Sequence, residues 1–179
     1  MDISLPTDGS LSIPALLRTE QTREAFRFID EIHASIDDEL IHVCEIPAPP
    51  FREFVRAEYV KQRFTQLGLA NARIDAEGNV IAERPGLSSD QSLIVSAHLD
   101  TVFPEGTDVS VKREGDRLLA PGISDNTCGI VSLVALAGAL NAARVTTART
   151  IWFVATVGEE GQGNLLGVRR LFDSDEFRT

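Results

Sequence analysis

A histidine and an aspartate two residues apart close an apolar run of this sequence. The run Leu93-Ile94-Val95 leads directly into Ser96-Ala97-His98-Leu99-Asp100. In a β-strand, residues i and i+2 point to the same face, so His98 and Asp100 would project together from the carboxyl end of a buried strand. An imidazole is a good zinc ligand when a second group holds its other ring nitrogen and fixes the tautomer. Taken alone, the pair is weak evidence for such a site, and a polar strand end hydrogen-bonded to a loop is the favoured interpretation.

Further carboxylates stand at two later places in the sequence. Asp125 lies in Gly122-Ile123-Ser124-Asp125-Asn126, just before a predicted helix, and Glu159-Glu160 follow an apolar strand. Taken separately, Asp125 or Asn126 could cap the helix, and the two glutamates could form a solvated turn. Taken together with His98 at one edge of a sheet, these carboxylates would repel each other strongly unless a cation were present.

A divalent metal site resolves that repulsion and defines a chemistry. Two zinc ions can share a bridging carboxylate, lower the pKa of a water molecule and polarise a substrate carbonyl. A carboxylate that is not a ligand must then take the proton of the water. The adjacent pair Glu159-Glu160 could divide this work, one binding metal and the other acting as general base, and the spacing alone does not say which is which.

The hydrophobic pattern predicts the elements that would position these residues. Prolines at 47, 49 and 50 separate two of the predicted helices, and the turn signals Glu77-Gly78 and Glu114-Gly115-Asp116 mark two hairpins. Strands that alternate with helices predict an α/β sandwich rather than a bundle or a barrel. The predicted helices are 20–44, 51–67, 127–143 and 165–172, and the predicted strands are the hairpins 72–83 and 109–119 with the single strands 93–97 and 150–157.

Composition limits the classes of partner. The chain has 179 residues, 43% of them hydrophobic, which is enough for one sizeable core after a loose lead-in over residues 1–19. The net charge of −10 disfavours binding to nucleic acid or to an anionic membrane.

The two cysteines and the start of the sequence bear on the cellular compartment. Cys44 and Cys128 lack a Cys-x-x-Cys context, so neither a disulfide framework nor a thiolate zinc site is expected. Because residues 1–20 lack the pattern of a secretory signal and no later segment approaches the length of a membrane span, we expect a cytoplasmic protein.

The three motifs together resemble a known family. Residues 96–102, 122–126 and 158–161 are similar, in this order, to the signatures of the di-zinc metallopeptidase family of peptidase T, glutamate carboxypeptidase and acetylornithine deacetylase. The helix break around residues 45–51 and the hairpin around residues 74–80 agree with the same family. The resemblance implies a three-layer sandwich of the zinc-exopeptidase type, with a mixed sheet flanked by helices.

The resemblance also implies a role for each site residue. His98 would bind one metal ion, and Asp100 would orient His98. Asp125 would bridge two divalent ions, which are expected to be zinc. Glu159 would be the general base, and Glu160 would bind the second metal ion. The implied reaction is the hydrolysis of amide bonds in small peptides or N-acyl amino acids through a metal-activated water. Asn126-Thr127 departs from the residues that many relatives carry after the bridging aspartate, which leaves the substrate subgroup open.

The resemblance covers about residues 39–172, whereas family members continue with another acidic ligand, a lid and dimerisation domain and a late histidine ligand. No residue after Glu160 matches those ligands. We therefore expect residues 20–179 to form the amino-terminal portion of a catalytic domain that is poorly active and metal-loose by itself, and a homodimer for the full-length protein. The alternative is a truncated, non-catalytic remnant that acts only as a folding or partner-binding module.

Overall fold

A mixed β-sheet with helices on both faces organises the chain. The structure is a computed structural model that describes residues 12–174 and residue 177, with residues 89–91 described through their backbone only. The helices are α1 (Ile13–Leu16), α2 (Glu20–Glu31), α3 (His33–Cys44), α4 (Phe54–Gln66), α5 (Cys128–Ala142) and α6 (Leu166–Asp173). The strands are β1 (Ala70–Ile74), β2 (Val80–Arg84), β3 (Ser88–His98), β4 (Lys112–Glu114), β5 (Arg117–Leu119) and β6 (Arg149–Thr156).

Within the described residues, the main sheet has the strand order β1-β2-β6-β3, and β4 and β5 form a separate hairpin. Strand β2 is antiparallel to both β1 and β6, whereas β3 runs parallel to β6. In that parallel pair His98 lies opposite Thr156, so both strands end at the same edge of the sheet. Residues that follow β3 and β6 are thereby brought to one place although they are far apart in sequence.

The side chains of β6 alternate between two cores. Ile151, Phe153 and Ala155 belong to the large core that α3, α4 and α5 cover on one face. On the other face, Trp152 and Val154 pack in a smaller cluster with Leu171 of α6 and with Phe177. The sheet is therefore covered on both faces, which confirms the predicted three-layer sandwich with a mixed sheet.

The first hairpin supports the end of β6 through a buried asparagine. Asn79, which is fully buried, accepts a hydrogen bond from the backbone N–H of Val157 at 3.1 Å. Its side-chain amide donates to Asp75 at 2.8 Å and to the carbonyl of Gly167 at 3.1 Å. The segment just after β6 is thus held from the β1–β2 turn on one side and from α6 on the other.

The amino-terminal part differs from one prediction and lies partly outside the described residues for another. The predicted helix 20–44 is two helices, because Ile32 leaves the helical conformation at φ −92° and ψ 7° and ends α2 where α3 begins. Both helices contact α5. Of the predicted loose lead-in, residues 1–11 lie outside the described residues, and Ile13–Leu16 form a single helical turn. The other predicted elements are confirmed to within a few residues, although β3 begins earlier, at Ser88.

The prediction that no segment approaches the length of a membrane span was wrong for one helix. The stretch Ile123–Ala142 has 20 residues with a mean hydropathy of 1.5, which is long and apolar enough for a span by length and composition alone. In the structure this helix packs against β3, α2 and α3. A helix contacted on several sides is apolar around much of its circumference, so a core helix passes the same test.

Candidate metal centre

The predicted site residues meet at the edge where β3 and β6 end. His98 is the last residue of β3, and Glu159 and Glu160 follow β6 after Gly158, whose φ of +58° turns the chain. Asp125 reaches the same place from the irregular turn Ile123–Thr127 that precedes α5. Parallel pairing of β3 with β6 and the crossover through α5 are what bring these side chains together.

Three of the side chains form a donor cluster. One ligand atom each from His98, Asp125 and Glu160 lies within 4.8 Å of the other two. His98 Nε2 is 2.9 Å from Asp125 Oδ1 and 4.0 Å from Glu159 Oε2. An imidazole with carboxylates is a donor set that zinc accepts, so these residues fit a divalent metal.

Asp100 lies behind this cluster and is fully buried. The ring nitrogen Nδ1 of His98 is 3.0 Å from the backbone carbonyl oxygen of Asp100 and 3.5 Å from its carboxylate. The two carboxylate oxygens instead accept the backbone N–H groups of Glu159 and Glu160, at 2.9 and 2.8 Å. Asp100 therefore holds both the imidazole and the glutamate segment, whereas the motif indicated only the first of these contacts.

The electrostatics of the cluster favour positive charge. Burial by itself would lower the pKa of His98, but the hydrogen bonds and negative charges of Asp100, Asp125 and Glu159 raise it to about 9. Burial and the nearby charges of Glu159 and Asp125 raise the pKa of Glu160. Both shifts have the crowding of carboxylates as a cause, and a divalent cation bound among these carboxylates would offset their mutual repulsion.

Asp125 is not placed by helix capping. Helix α5 begins at Cys128, and its N-cap residue Thr127 makes no side-chain capping hydrogen bond; instead its hydroxyl donates to the carbonyl of Gly122 at 2.7 Å. The peptide bond between Asp125 and Asn126 is cis. The interpretation of Asp125 or Asn126 as a simple helix cap is therefore wrong, and the Asp125 side chain is directed to His98.

A close approach at Gly129 helps to fix this turn. A Cβ atom on Gly129 would lie 1.7 Å from Asn126 Oδ1 and 3.0 Å from Ala97 Cβ. Only glycine leaves room for Asn126 against the first turn of α5. The residue next to Asp125 is thus packed between α5 and β3.

Sequence reasoning missed a buried glutamate beside the site. Glu53, only 5% exposed, accepts the backbone N–H groups of Phe51 at 3.0 Å and of Gly158 at 3.1 Å. Burial raises the pKa of Glu53. Glu53 therefore ties the proline-rich segment before α4 to the glutamate segment after β6. Its position at the start of a predicted helix carried no signal of this contact.

Arg56 is a second missed residue and is 1% exposed. Its guanidinium donates to the carbonyl of Leu99 at 2.8 Å, between His98 and Asp100, and its Nε donates to the carbonyl of Ile46 at 3.1 Å. Burial lowers the pKa of Arg56 to about 10. The buried cation fixes the backbone of the His-x-Asp motif, which a single arginine in an amphipathic helix does not reveal.

One family model matches a large part of this chain. The model of the family described as Peptidase family M28 matches residues 79–178. None of the curated protein sequences compared with this chain matches it.

Solved structures share the fold. Human carnosine dipeptidase 1 has a TM-score of 0.74 at 16% identity over 89% of this chain and 39% of its own chain. Aminopeptidase PepT of Bacillus cereus has a TM-score of 0.64 at 22% identity over 75% of this chain and 38% of its own. The Bacillus subtilis YXEP protein, a dinuclear metal binding peptidase from the M20 family, has a TM-score of 0.52 at 17% identity over 72% of this chain and 36% of its own.

The resemblance to zinc exopeptidases that the motifs indicated is confirmed, with an aminopeptidase PepT among the structural neighbours. At these identities the likeness shows the fold alone. The chain spans less than two fifths of the length of each of these three proteins.

Proposed function

Because this chain belongs to peptidase family M28, we propose that it carries the site of a metal-dependent hydrolase acting on amide bonds of small peptides or N-acyl amino acids. The observation that carries the proposal is the donor cluster of His98, Asp125 and Glu160, whose ligand atoms lie within 4.8 Å of one another. Glu159 beside this cluster supplies a carboxylate for proton transfer.

These donors would be divided between two ions, expected to be zinc. His98 and Asp125 would hold one ion, and Asp125 and Glu160 would hold the other, which makes Asp125 the bridge. Bound divalent metal supplies Lewis-acid chemistry, polarising a carbonyl and lowering the pKa of water. Asp100 keeps its assigned role as the residue that orients His98, since its carbonyl oxygen lies 3.0 Å from Nδ1.

Glu159 is proposed as the general base. Its Oε2 lies 4.0 Å from His98 Nε2, at the border of the donor cluster, and its side chain is about one third exposed. Its backbone N–H is fixed by Asp100 at 2.9 Å, so the carboxylate is held close to where substrate and water would meet. In this position Glu159 takes a proton from the attacking water and returns it to the leaving nitrogen.

The protein is proposed to hold metal loosely when it consists of these residues alone. The described part of the chain offers three clustered donors for two ions, and each absent donor weakens affinity. A homodimer of the full-length protein and a cytoplasmic location are also proposed, the latter supported by the free thiols of Cys44 and Cys128.

Metal removal and return tests the proposal. The full-length protein would be dialysed against a chelator, and release of amino acids from a panel of dipeptides and N-acetyl amino acids would be followed before and after adding zinc. We expect hydrolysis to disappear with the metal and to return with it. Hydrolysis that is indifferent to chelation, or absent from the whole panel at saturating zinc, contradicts the proposed function and favours the non-catalytic alternative.

A further inference from the structure

A cleft of about 440 Å³ adjoins the candidate metal centre. Its walls come from three segments, residues 49–52, residues 102–105 and residues 160–162. Glu160 belongs both to this wall and to the donor cluster, so the cleft opens beside the place where an amide bond would be cleaved. Its volume lies in the range of pockets that take small ligands.

The lining of the cleft exposes large apolar side chains. Phe51 is 58% exposed and Val102 is 61% exposed, and Pro49, Pro50 and Pro104 line the same space. The charged lining residues Arg52 and Glu105 are solvent-exposed and lie 4.0 Å apart, which partly offsets their charges. Apolar surface beside a polar centre favours a ligand with an apolar group.

The backbone of Phe51 gives independent support. Phe51 has a φ of +66°, in the left-handed region that bulky residues seldom adopt. Its N–H is held at 3.0 Å by the buried Glu53, which holds Gly158 with the same oxygen at 3.1 Å. Strain of this kind is maintained at binding sites, where it sets the position of a side chain. The contact network therefore fixes Phe51 relative to the segment that carries Glu159 and Glu160.

We infer that this cleft is a specificity pocket for a bulky apolar side chain of the substrate, such as that of leucine or phenylalanine, with Phe51 and Val102 as its contacts. The inference rests on the proposed function for the identity of the ligand as a substrate. It deepens that proposal by naming the class of side chain that the site selects. An apolar pocket binds a side chain more tightly as the side chain buries more apolar area. Substrates whose side chains differ by several methylene groups therefore differ in affinity by about tenfold or more.

Binding can be separated from turnover in a Glu159→Gln background. Isothermal titration calorimetry with zinc-loaded protein would compare Gly-Gly with Leu-Gly and Gly-Leu. We expect one of the leucine peptides to bind at least tenfold more tightly than Gly-Gly. Adding Phe51→Ala or Val102→Ala should weaken binding of that leucine peptide about tenfold. The affinity for Gly-Gly should stay within twofold of its value without the added substitution.

Phe26→Ala is the matched control, because Phe26 is 55% exposed on α2 and is not part of the cleft lining. This control should preserve the leucine advantage. A leucine advantage that is absent, or that survives both Phe51→Ala and Val102→Ala, overturns the inference. Failure of the proposed function is distinguishable, since it shows as absence of hydrolysis of all these peptides by the zinc-loaded, full-length wild-type protein, whatever the calorimetry gives.

Discussion

The carboxylate of Asp100 accepts a hydrogen bond from the backbone N–H of Glu159 at 2.9 Å across 59 positions of sequence. Its second oxygen accepts the N–H of Glu160 at 2.8 Å. One fully buried side chain thus sets the backbone of the proposed base and of a proposed ligand together.

Asp100→Asn should loosen both residues, because an amide keeps one acceptor oxygen and presents an NH₂ group where the second acceptor stood. We expect metal affinity to fall by about 10- to 100-fold, as for other outer-shell partners of metal ligands. Competition with a fluorescent zinc chelator measures this. Asp108→Asn is the control, since Asp108 is exposed and contacts Ser110 only locally. Equal zinc affinity in Asp100→Asn and wild type would show that Asp100 does not position the site.

Glu159→Gln should abolish turnover without removing metal. The variant keeps the backbone hydrogen bond to Asp100 but has no group that can take a proton, so we expect a loss of about 10²- to 10⁴-fold in kcat. Zinc content by elemental analysis should stay near the wild-type value. Glu58→Gln on α4 is the control. If Glu159→Gln turned over at nearly the original rate, the assignment of the base would be wrong.

His98→Ala should reduce bound zinc, because it removes the only nitrogen donor of the cluster formed by the described residues. Elemental analysis after gel filtration gives the metal content directly. His33→Ala, on α3, should bind as much zinc as wild type. Undiminished zinc in His98→Ala contradicts the proposed ligand.

Gly129→Ala should destabilise the fold and disturb the site together. The new Cβ would lie 1.7 Å from Asn126 Oδ1, so Asn126 must move, and overpacking of this kind costs about 1–3 kcal/mol of unfolding free energy. Urea denaturation followed by circular dichroism measures the loss, and zinc affinity should fall with it. The neighbouring exposed Cys128→Ala should change neither by much. A fully stable Gly129→Ala would show that the first turn of α5 tolerates the added atom.

Strand β3 should mediate self-association. Within the described residues β3 is the last strand of the sheet and pairs with β6 alone, so a further strand can add at its other edge, and Leu93 is 54% exposed. We expect the apparent mass in sedimentation velocity to rise with concentration, and Leu93→Lys to lower it. Leu119→Lys, on the separate hairpin, is the control. Association that Leu93→Lys leaves unchanged would place the contact elsewhere.

The sequence by itself determined most of the elements and singled out the candidate site residues. The spacing of apolar residues and the positions of turn residues depend on local backbone preferences. The hairpin 72–83, the helix 127–143 and the strand 150–157 could therefore be predicted closely. The break at Ile32 was missed because apolar spacing continues across it, although the backbone of Ile32 leaves the helical conformation there. His98, Asp125 and Glu160 could be singled out because their residue types and motifs are local.

The tertiary structure alone decided how those residues cooperate. Parallel pairing of β3 with β6 is a long-range contact, and it brings Asp100 to the backbone of Glu159 and Glu160. Glu53 reaches Gly158 across 105 positions, and Arg56 reaches the carbonyl of Leu99 across 43. Such hydrogen bonds leave no periodic trace in the sequence, because the partner of a buried charge is set by the packing of elements and not by its neighbours in the chain.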